Sequence, residues 1–192
     1  MFKFNSTKYW QKRYIRSDSG DGSKGECAKF KADIINNFII ENNIQSVIDF
    51  GCGDGGQLRF FNLPDYLGLD VSKDAIKNCR VLFPEKEFML INEYKNGRMF
   101  LGSEKKDLAL SLDVIYHLVE DQMYRDYMVD LMNSAKRYII IYSSNFDVKT
   151  ARHVKHRRFT DFIFKHFPNW ELEKVILNEL YKKTDFYIYK RI

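Results

Sequence analysis

Two acidic residues frame a glycine-rich turn in the first third of the chain. Asp49 belongs to a short apolar run, Val47–Phe50, which is typical of a buried strand. The turn at 51–56 has the spacing G-x-G-x-x-G, and glycine lets the backbone bend sharply and a ligand approach it closely. Asp70 ends a second apolar run about 20 residues further on, where an acid can accept hydrogen bonds from ribose hydroxyls. The arrangement predicts a nucleoside-binding site.

The acids favour a nucleoside with a positively charged tail over a dinucleotide. A pyrophosphate binds backbone N–H groups at a helix N-terminus, where nearby negative charge is unfavourable. Here Asp49 precedes the first glycine, and Asp54 lies inside the turn. S-adenosylmethionine carries a sulfonium, an α-ammonium and a ribose but no phosphate, so it suits such a site. The alternative interpretation is an ordinary α/β turn whose glycines serve packing.

Several stretches of the sequence resemble methyltransferase motifs. The D-x-G-x-G pattern at 49–53, with the ribose-binding acid that follows it, resembles motifs I and II of the class I S-adenosylmethionine-dependent methyltransferases. Near the N-terminus, Y-W-x-x-R-Y (9–14) is followed by S-G-x-G-S-x-G (19–25) and F-K-A-D (30–33). Together with S-L-D-V-I-Y-H-L-V-E-D (111–121), these are similar to a subgroup of small bacterial methyltransferases associated with the synthesis of surface polysaccharides such as capsule.

The resemblance implies a cofactor and the residues that bind it. The cofactor is S-adenosyl-L-methionine, and its product form is S-adenosyl-L-homocysteine. Asn92 follows the predicted third strand, where methyltransferases commonly contact adenine. Lys24 stands where the subgroup commonly has tyrosine, so no role is assigned to it. The predicted cofactor-binding residues are Tyr14, Ser23, Gly25, Asp49, Gly51, Cys52, Gly53, Asp70, Val71, Asn92, Leu112 and Asp113.

His117 and Asp113 are the predicted catalytic residues. Methyl transfer from a sulfonium is an in-line displacement with a neutral leaving group, so the protein mainly has to align the reacting atoms. A hydroxyl acceptor also needs a base that takes its proton, whereas a phosphate or carboxylate oxygen needs none. An unperturbed histidine has a pKa of about 6.5 and can act as a base at neutral pH. We expect His117 to be this base and Asp113 to orient a ligand or His117; the alternative is a structural histidine.

A short cluster of basic residues, R-H-V-K-H-R-R, occupies 152–158. Arginine side chains match phosphate and carboxylate groups, so we expect this cluster to face the acceptor; the alternative is a solvated basic loop. His153 and His156 could form half of a metal site, but no further ligand cluster completes it, and no metal is predicted. The predicted substrate-binding residues are Tyr116, His117, Ser143, Asn145, Arg152, His153, His156 and Arg157.

The expected function is O-methylation of a small polar or anionic acceptor, such as a sugar or an acidic or phosphorylated precursor of a surface polysaccharide. The alternative is an RNA methyltransferase that binds phosphates with the basic cluster, 152–158. The shortness of that cluster and the absence of an N-P-P-Y type motif, since the three prolines are isolated, make nucleic acid the less favoured partner. A third possibility is a cofactor-binding partner subunit without activity, against which the intact region around His117 argues.

Strands and helices alternate along the chain and must bring these residues together. We expect an α/β, Rossmann-like class I methyltransferase fold with a mostly parallel seven-stranded sheet, an antiparallel last strand and helices on both faces. The carboxyl ends of the parallel strands then share one edge, where ligands bind. The predicted strands are 44–50, 67–70, 88–91, 107–112, 137–142, 171–178 and 186–190. The predicted helices are 27–41, one beginning at 57–62, 73–83, 121–135 and 160–166.

Length and composition fit one globular domain. The 192 residues contain 45% hydrophobic and 30% charged residues, with a net charge of +5. No apolar run approaches the ~20 residues that span a bilayer, and the first ten residues have no apolar signal-peptide core. The three scattered cysteines suggest reduced thiols, so we expect a cytoplasmic protein. We predict a single methyltransferase domain, 1–192, in which 1–30 form an N-terminal arm or lid over the cofactor site; the oligomeric state is left open.

Overall fold

A computed structural model describes residues 4–16, 19–101, 105–180 and 183–192 of the chain. Within these ranges the strands are β1 (Ser46–Phe50), β2 (Asp65–Asp70), β3 (Glu87–Leu90), β4 (Lys106–Leu112), β5 (Ala135–Ser143), β6 (Lys149–Ala151), β7 (Val154–Lys155), β8 (Trp170–Ile176) and β9 (Asp185–Arg191). Seven of them form one sheet with the order β3-β2-β1-β4-β5-β9-β8. The short strands β6 and β7 pair only with each other, as a hairpin that follows β5.

The direction of the strands confirms the predicted topology. Every neighbouring pair from β3 to β5 is parallel, whereas β9 is antiparallel to both of its neighbours, β5 and β8. The strand order reverses at β1, which pairs with β2 on one side and β4 on the other. At such a reversal the connections leave in opposite directions and open a crevice at the carboxyl ends of the strands.

Helices pack on both faces of the sheet. The helices in the described residues are α1 (Ser6–Arg16), α2 (Gly25–Glu41), α3 (Lys73–Leu82), α4 (Ile91–Leu101), α5 (Asp121–Asn133) and α6 (Phe159–His166). Alternate side chains of the central strands enter two separate cores: one contains α2 and α3, and the other contains α4, α5 and α6. In this part of the chain no helix is long and apolar enough to cross a membrane.

The structure differs from the predicted elements at several points. The helix expected to begin at 57–62 is only a 3₁₀ turn, Leu58–Phe60. Pro64 disfavours helical backbone at the residue before it, and β2 begins directly afterwards. Helices α1 and α4 and the hairpin β6–β7 were not predicted, because no strong apolar period marks them.

A side chain caps the first turn of α3 but not that of α6. Ser72 caps α3, because its hydroxyl oxygen accepts a hydrogen bond from the N–H of Ala75 at 3.3 Å. Thr160 does not cap α6, which begins one residue earlier. The Thr160 hydroxyl instead pairs with the side-chain amide of Asn145, at 2.9 Å from Nδ2. That contact ties α6 to the loop after β5.

Candidate functional site

A cavity of about 390 Å³ opens at the carboxyl ends of β1, β2 and β4, where the strand order reverses. This volume is within the range of small-molecule sites. Helix α1 and the segment before α2 contribute residues on its other side. The predicted site residues that line the cavity are Tyr14, Ser23, Asp49, Gly51, Cys52, Gly53, Asp70, Val71, Leu112, Asp113, Tyr116, His117 and His153.

The glycine turn needs its glycines at two positions. Gly51 and Gly53 have φ of +91° and +62°, a region that favours residues without a Cβ. A Cβ at Gly51 would lie 2.5 Å from a methyl carbon of Val114, and one at Gly53 would lie 2.9 Å from the hydroxyl of Tyr14. The turn is held against β2 by the N–H groups of Gly51 and Cys52, which both donate to the carbonyl oxygen of Leu69. The two glycines therefore let Val114 and Tyr14 pack closely on the turn where it lines the cavity.

Asp49 lines this cavity, and one of its carboxylate oxygens has no hydrogen-bond partner in the described part of the chain. Its Oδ2 accepts a hydrogen bond from the Tyr66 hydroxyl at 3.0 Å, while its buried Oδ1 has no hydrogen-bond partner within the described residues. Burial raises the pKa of this carboxyl to about 7. A buried polar oxygen without a partner is uncommon in folded proteins. A cationic donor bound beside Asp49 would give this oxygen the partner that it lacks.

Asp70 lies at the end of the neighbouring strand, β2. Its Oδ2 accepts from the N–H of Gly53 at 3.1 Å and its Oδ1 from the N–H of Ser72 at 2.8 Å. Burial raises its pKa to about 6, despite these hydrogen bonds, which favour the ionised form. Each carboxylate oxygen can accept more than one hydrogen bond, so further donors such as ribose hydroxyls can be added. With Asp49, it makes this half of the cavity acidic.

Helix α1 and the segment that follows it are tied to the sheet edge by hydrogen bonds. The N–H of Ser6 donates to Glu120 Oε1 at 2.8 Å, and Gln11 Nε2 donates to the carbonyl oxygen of Val71 at 3.2 Å. Beyond α1, the backbone and hydroxyl of Ser19 both donate to the carboxylate of Asp54. These contacts place Trp10, Arg13, Tyr14, Ser19, Gly20, Gly22 and Ser23 in the cavity wall.

His117 belongs to a 3₁₀ turn, Ile115–His117, that follows β4. Its Nδ1 lies 3.2 Å from the carbonyl oxygen of His153, so Nδ1 carries the proton and Nε2 remains an acceptor. The imidazole contacts the rings of Trp10 and Tyr116 edge to face, with centroids 4.7 and 4.5 Å away. Burial lowers its pKa to about 4, well below the value of about 6.5 expected from the sequence. The ring is therefore neutral at neutral pH.

Asp113 lies at the end of β4 and is held by two side chains. Its Oδ2 accepts from the Lys31 ammonium at 2.7 Å, and its Oδ1 accepts from the Tyr116 hydroxyl at 2.7 Å. Gly22 packs against this carboxylate, since a Cβ there would lie 3.2 Å from Oδ2. The three predicted residues Asp113, Tyr116 and His117 are thus brought together on one side of the cavity.

Arg157 lies outside the cavity, contrary to the expectation for the basic cluster. Its guanidinium donates to the carbonyl oxygens of Leu118 and Val119 at 2.6 and 3.0 Å and to Asp121 Oδ1 at 2.8 Å. It also stacks over the ring of Tyr124, with a centroid distance of 4.5 Å. All these partners are within the chain, so Arg157 fixes the loop before α5.

Other predicted residues also lie away from the main cavity. His156 pairs through Nδ1 with the hydroxyl of Ser144 at 2.6 Å and through Nε2 with Thr150 at 3.2 Å. Asn92, in the first turn of α4, lines an adjoining cavity of about 370 Å³. In the described ranges, no group of three or more His, Cys, Asp or Glu residues could hold a metal ion. The remaining predicted residues that do not line the main cavity are Gly25, Ser143, Asn145 and Arg152.

Sequence reasoning gave no site role to Trp10, Arg13, Gly22 or Lys31, although all four line the cavity. Each of them lies inside a motif that was used only for the resemblance. Lys31 offered a further signal, because it lies four residues before Ile35 on the buried face of the predicted helix. A lysine on an apolar face requires a partner, and that partner could have been sought among the acids at the strand ends.

Solved structures of methyltransferases share this architecture. The N-methyltransferase NodS from Bradyrhizobium japonicum, in complex with S-adenosyl-L-homocysteine, has a TM-score of 0.74 and 12% sequence identity, covering 98% of this chain and 99% of that chain. Magnesium protoporphyrin IX methyltransferase from Synechocystis PCC 6803, also with S-adenosyl-L-homocysteine bound, has a TM-score of 0.67 and 16% identity, covering 98% and 96%. CalS10, an amino pentose methyltransferase from Micromonospora echinaspora, has a TM-score of 0.67 and 11% identity, covering 88% and 94%.

The chain has the fold of these methyltransferases. At sequence identities this low the likeness establishes the fold, and the chemistry has to be argued from the residues of the cavity. No protein-family model matches the chain, and no curated protein matches it. The Rossmann-like methyltransferase fold expected from the sequence is therefore confirmed.

Proposed function

We propose that the protein is an S-adenosyl-L-methionine-dependent methyltransferase. The observation that carries the proposal is the unpaired, buried Oδ1 of Asp49, which lies beside an open glycine turn and the second buried acid, Asp70. Two buried carboxylates disfavour a pyrophosphate and favour a cationic nucleoside. The fold supports the same interpretation.

The residues of the cavity fit this cofactor. Asp49 Oδ1 would accept a hydrogen bond from the α-ammonium, and Asp70 would accept from the ribose hydroxyls. Gly51 and Gly53 line the same cavity, and a Cβ on either would displace Val114 or Tyr14 from the cavity wall. Asn92 would contact adenine from the adjoining cavity. When bound, the cofactor supplies an electrophilic methyl group and leaves as a neutral thioether.

His117 can accept the proton of a hydroxyl acceptor. Its Nδ1–H is fixed on the carbonyl oxygen of His153, which leaves the Nε2 lone pair for the acceptor. With a pKa of about 4 the ring is a weak base, but it is in its neutral form at any physiological pH. A hydroxyl oxygen becomes strongly acidic as it forms a bond to carbon, so a weak base that is already in place can take the proton late in the reaction. Asp113 and Tyr116 would orient the same hydroxyl.

The acceptor that fits this side is small and polar or anionic. The wall combines the indole of Trp10, the guanidinium of Arg13 and the imidazoles of His117 and His153. Aromatic rings pack on sugar rings, and a guanidinium favours a carboxylate or phosphate. We therefore propose O-methylation of a sugar or of an acidic precursor of a surface polysaccharide. One similar structure is described as an amino pentose methyltransferase, which supports a sugar-sized acceptor.

We further propose that α1 and 19–25 form a cover over the cofactor site within a single methyltransferase domain. Trp10, Tyr14 and Ser23 line the cavity, and Asp54 holds the segment through Ser19. Of the predicted arm, 1–30, residues 1–3 and 17–18 lie outside the described residues. The three cysteines are free thiols, which supports the proposal of a cytoplasmic protein.

The basic cluster lends little support to an RNA methyltransferase. Arg157 is buried among partners of its own chain, and Lys155 pairs with Asp121 at 2.5 Å. His156 is hydrogen-bonded on both ring nitrogens. Cations engaged in this way cannot also bind a line of phosphates without giving up these contacts.

Titration calorimetry with S-adenosyl-L-homocysteine, NADH and NADPH tests the proposal. The wild-type protein should bind S-adenosyl-L-homocysteine with micromolar affinity and neither dinucleotide. Asp49→Asn should weaken that binding, since an amide in place of the carboxylate attracts an ammonium less. Tight binding of a dinucleotide with no binding of S-adenosyl-L-homocysteine would overturn the assignment.

A further inference from the structure

Lys31 is a charged side chain in the interior of the fold. Its side chain is only 2% exposed, and it projects from a face of α2 that otherwise buries Ala28, Ala32 and Ile35. The ammonium nitrogen lies 2.7 Å from Asp113 Oδ2 and 5.2 Å from the centre of the Tyr142 ring. A buried ion pair is expensive to desolvate and often contributes less stability than apolar side chains of the same size. Packing alone therefore gives no reason for a lysine here.

The partner of Lys31 has an unusual backbone. Asp113 has φ of +61°, in the left-handed region that is uncommon for residues other than glycine. Its N–H donates to the carbonyl oxygen of Tyr142 at 2.9 Å, and the Tyr116 hydroxyl and the Lys31 ammonium each hold one carboxylate oxygen. Backbone conformations of this kind persist where surrounding contacts determine them, and they cluster at functional sites. The contacts fix the Asp113 carboxylate at the edge of the cavity, beside His117.

We propose that Lys31 is a positioning residue that holds Asp113 at the methyl-transfer end of the cavity and balances its charge. The proposal rests on the methyltransferase function proposed above. Because the ammonium offsets the carboxylate, the pair adds no net charge to this wall, so a neutral hydroxyl or an anionic acceptor can approach it. A carboxylate without its lysine would repel an anionic acceptor. Lys31 thereby makes the site compatible with the acceptor class proposed here.

Sinefungin and S-adenosyl-L-homocysteine can test the role of Lys31 even though the methyl acceptor is unidentified. Sinefungin has the structure of the cofactor but carries an amine at the position of the transferred methyl group, whereas S-adenosyl-L-homocysteine has nothing there. The ratio of their dissociation constants therefore reports the charge at the methyl position and cancels the contacts that both ligands share. Both constants would be measured by calorimetry at mildly alkaline pH for each variant.

The variants should move this ratio in opposite directions. Asp113→Asn should reduce the preference for sinefungin by about tenfold, because the amine loses a charge-assisted hydrogen bond. Lys31→Met should raise that preference by about tenfold, because the amine then meets a carboxylate that has lost its lysine partner. Lys29→Met is the matched control, since Lys29 is exposed on the same helix, and it should leave both dissociation constants unchanged.

Four outcomes would overturn the assignment. An unchanged ratio in Lys31→Met would show that Lys31 does not govern Asp113. Equal weakening of both ligands would show that Lys31 binds a part that they share. If Lys31→Met does not fold, the double variant Lys31→Met/Asp113→Asn takes its place, because it removes both buried charges together. Its ratio of the two dissociation constants should equal that of Asp113→Asn alone, and a different ratio would contradict the proposal. A wild-type protein that binds neither ligand would overturn the proposed function as well, which separates the two failures.

Discussion

The two halves of the cavity are assembled from very different parts of the sequence. The acids and glycines of the proposed cofactor half come from one stretch, 49–70, as a turn and two acids at the ends of adjacent strands. The acceptor half combines α1, α2, the 3₁₀ turn after β4 and the loop that carries His153, so its residues are up to 143 positions apart in the chain, from 10 to 153. A local pattern can specify the first half, whereas only the completed fold specifies the second.

The halves also differ in charge. Burial raises the pKa values of Asp49 and Asp70 to about 7 and about 6, and among the described residues neither acid has a lysine or arginine as a hydrogen-bond partner. On the other side, Lys31 is paired with Asp113, and His117 is neutral. The first half is thus prepared for a cation and the second for a neutral or anionic group. This difference matches a reaction that moves a methyl group from a cationic donor to a polar acceptor.

Removing the imidazole of His117 should produce the largest effect. If the acceptor is a hydroxyl, His117→Ala should lower kcat by ~10²–10⁴-fold, because proton transfer to the base is lost. The affinity for S-adenosyl-L-homocysteine should stay the same, and His166→Ala, an exposed histidine on α6, should change neither value. Steady-state kinetics with the true acceptor measure this. An unchanged kcat would mean that the acceptor oxygen is already ionised.

Asp70→Asn should have the next largest effect, and this substitution acts on ligand binding in the proposed cofactor half. The affinity for S-adenosyl-L-homocysteine should fall by about 10–100-fold, since hydrogen bonds to a charged group contribute about 1.5–3 kcal/mol. Asp74→Asn serves as the control, because Asp74 is exposed in the first turn of α3. Calorimetry on the three proteins gives the comparison. Equal affinities would place the ribose elsewhere.

Arg157→Ala should affect stability rather than either half of the cavity. Loss of its hydrogen bonds to Leu118, Val119 and Asp121 should reduce the free energy of unfolding by about 2 kcal/mol or more, as measured by urea denaturation. Arg158→Ala, at an exposed neighbour, should cost far less. If the variant instead had a raised KM for the acceptor and an unchanged free energy of unfolding, Arg157 would be a residue that binds the acceptor.

The affinity for the cofactor product should depend on pH, because Asp49 and Asp70 must be ionised when the ligand is bound. Asp49 has a raised pKa of about 7 in the free protein, and a bound ammonium favours its ionised form. Below pH 7 a proton must leave before the ligand binds, so the affinity for S-adenosyl-L-homocysteine should fall by up to about tenfold per pH unit, while it stays constant above pH 7. Asp70 should add to the loss below pH 6. In Asp49→Asn the affinity for S-adenosyl-L-homocysteine should no longer change between pH 6 and 7. If the affinity still changes there, a group other than Asp49 causes the pH dependence.

The smallest expected effect concerns the cover. S-adenosyl-L-homocysteine should slow amide hydrogen exchange in 19–25, because a polar, glycine-rich segment gains its order from contacts with a ligand. Exchange in the hairpin of β6 and β7 should change little and serves as the internal reference. Identical exchange of 19–25 with and without ligand would contradict a cover and leave the segment as part of the static wall.

The sequence predicted the sheet, its antiparallel last strand and the glycine turn with two acids at strand ends, because short apolar runs and glycine spacing are local signals. It did not predict the short helix α1, or the placement of Lys31 and Trp10 in the wall, because those depend on contacts between distant segments. The expected pKa of His117 was also too high, since burial cannot be read from the sequence around it. Likewise, the run of basic residues at 152–158 does not indicate that Arg157 donates hydrogen bonds to carbonyl oxygens of its own chain.

A crystal structure of the complex with S-adenosyl-L-homocysteine would show whether this cavity binds the cofactor and in which direction. We expect the α-ammonium within about 3 Å of Asp49 Oδ1, the ribose hydroxyls on Asp70 and the sulfur facing Asp113 and His117. A ligand bound in the opposite direction, with its amino-acid end at Asp70, or bound outside this cavity, would contradict the assignment of the two halves.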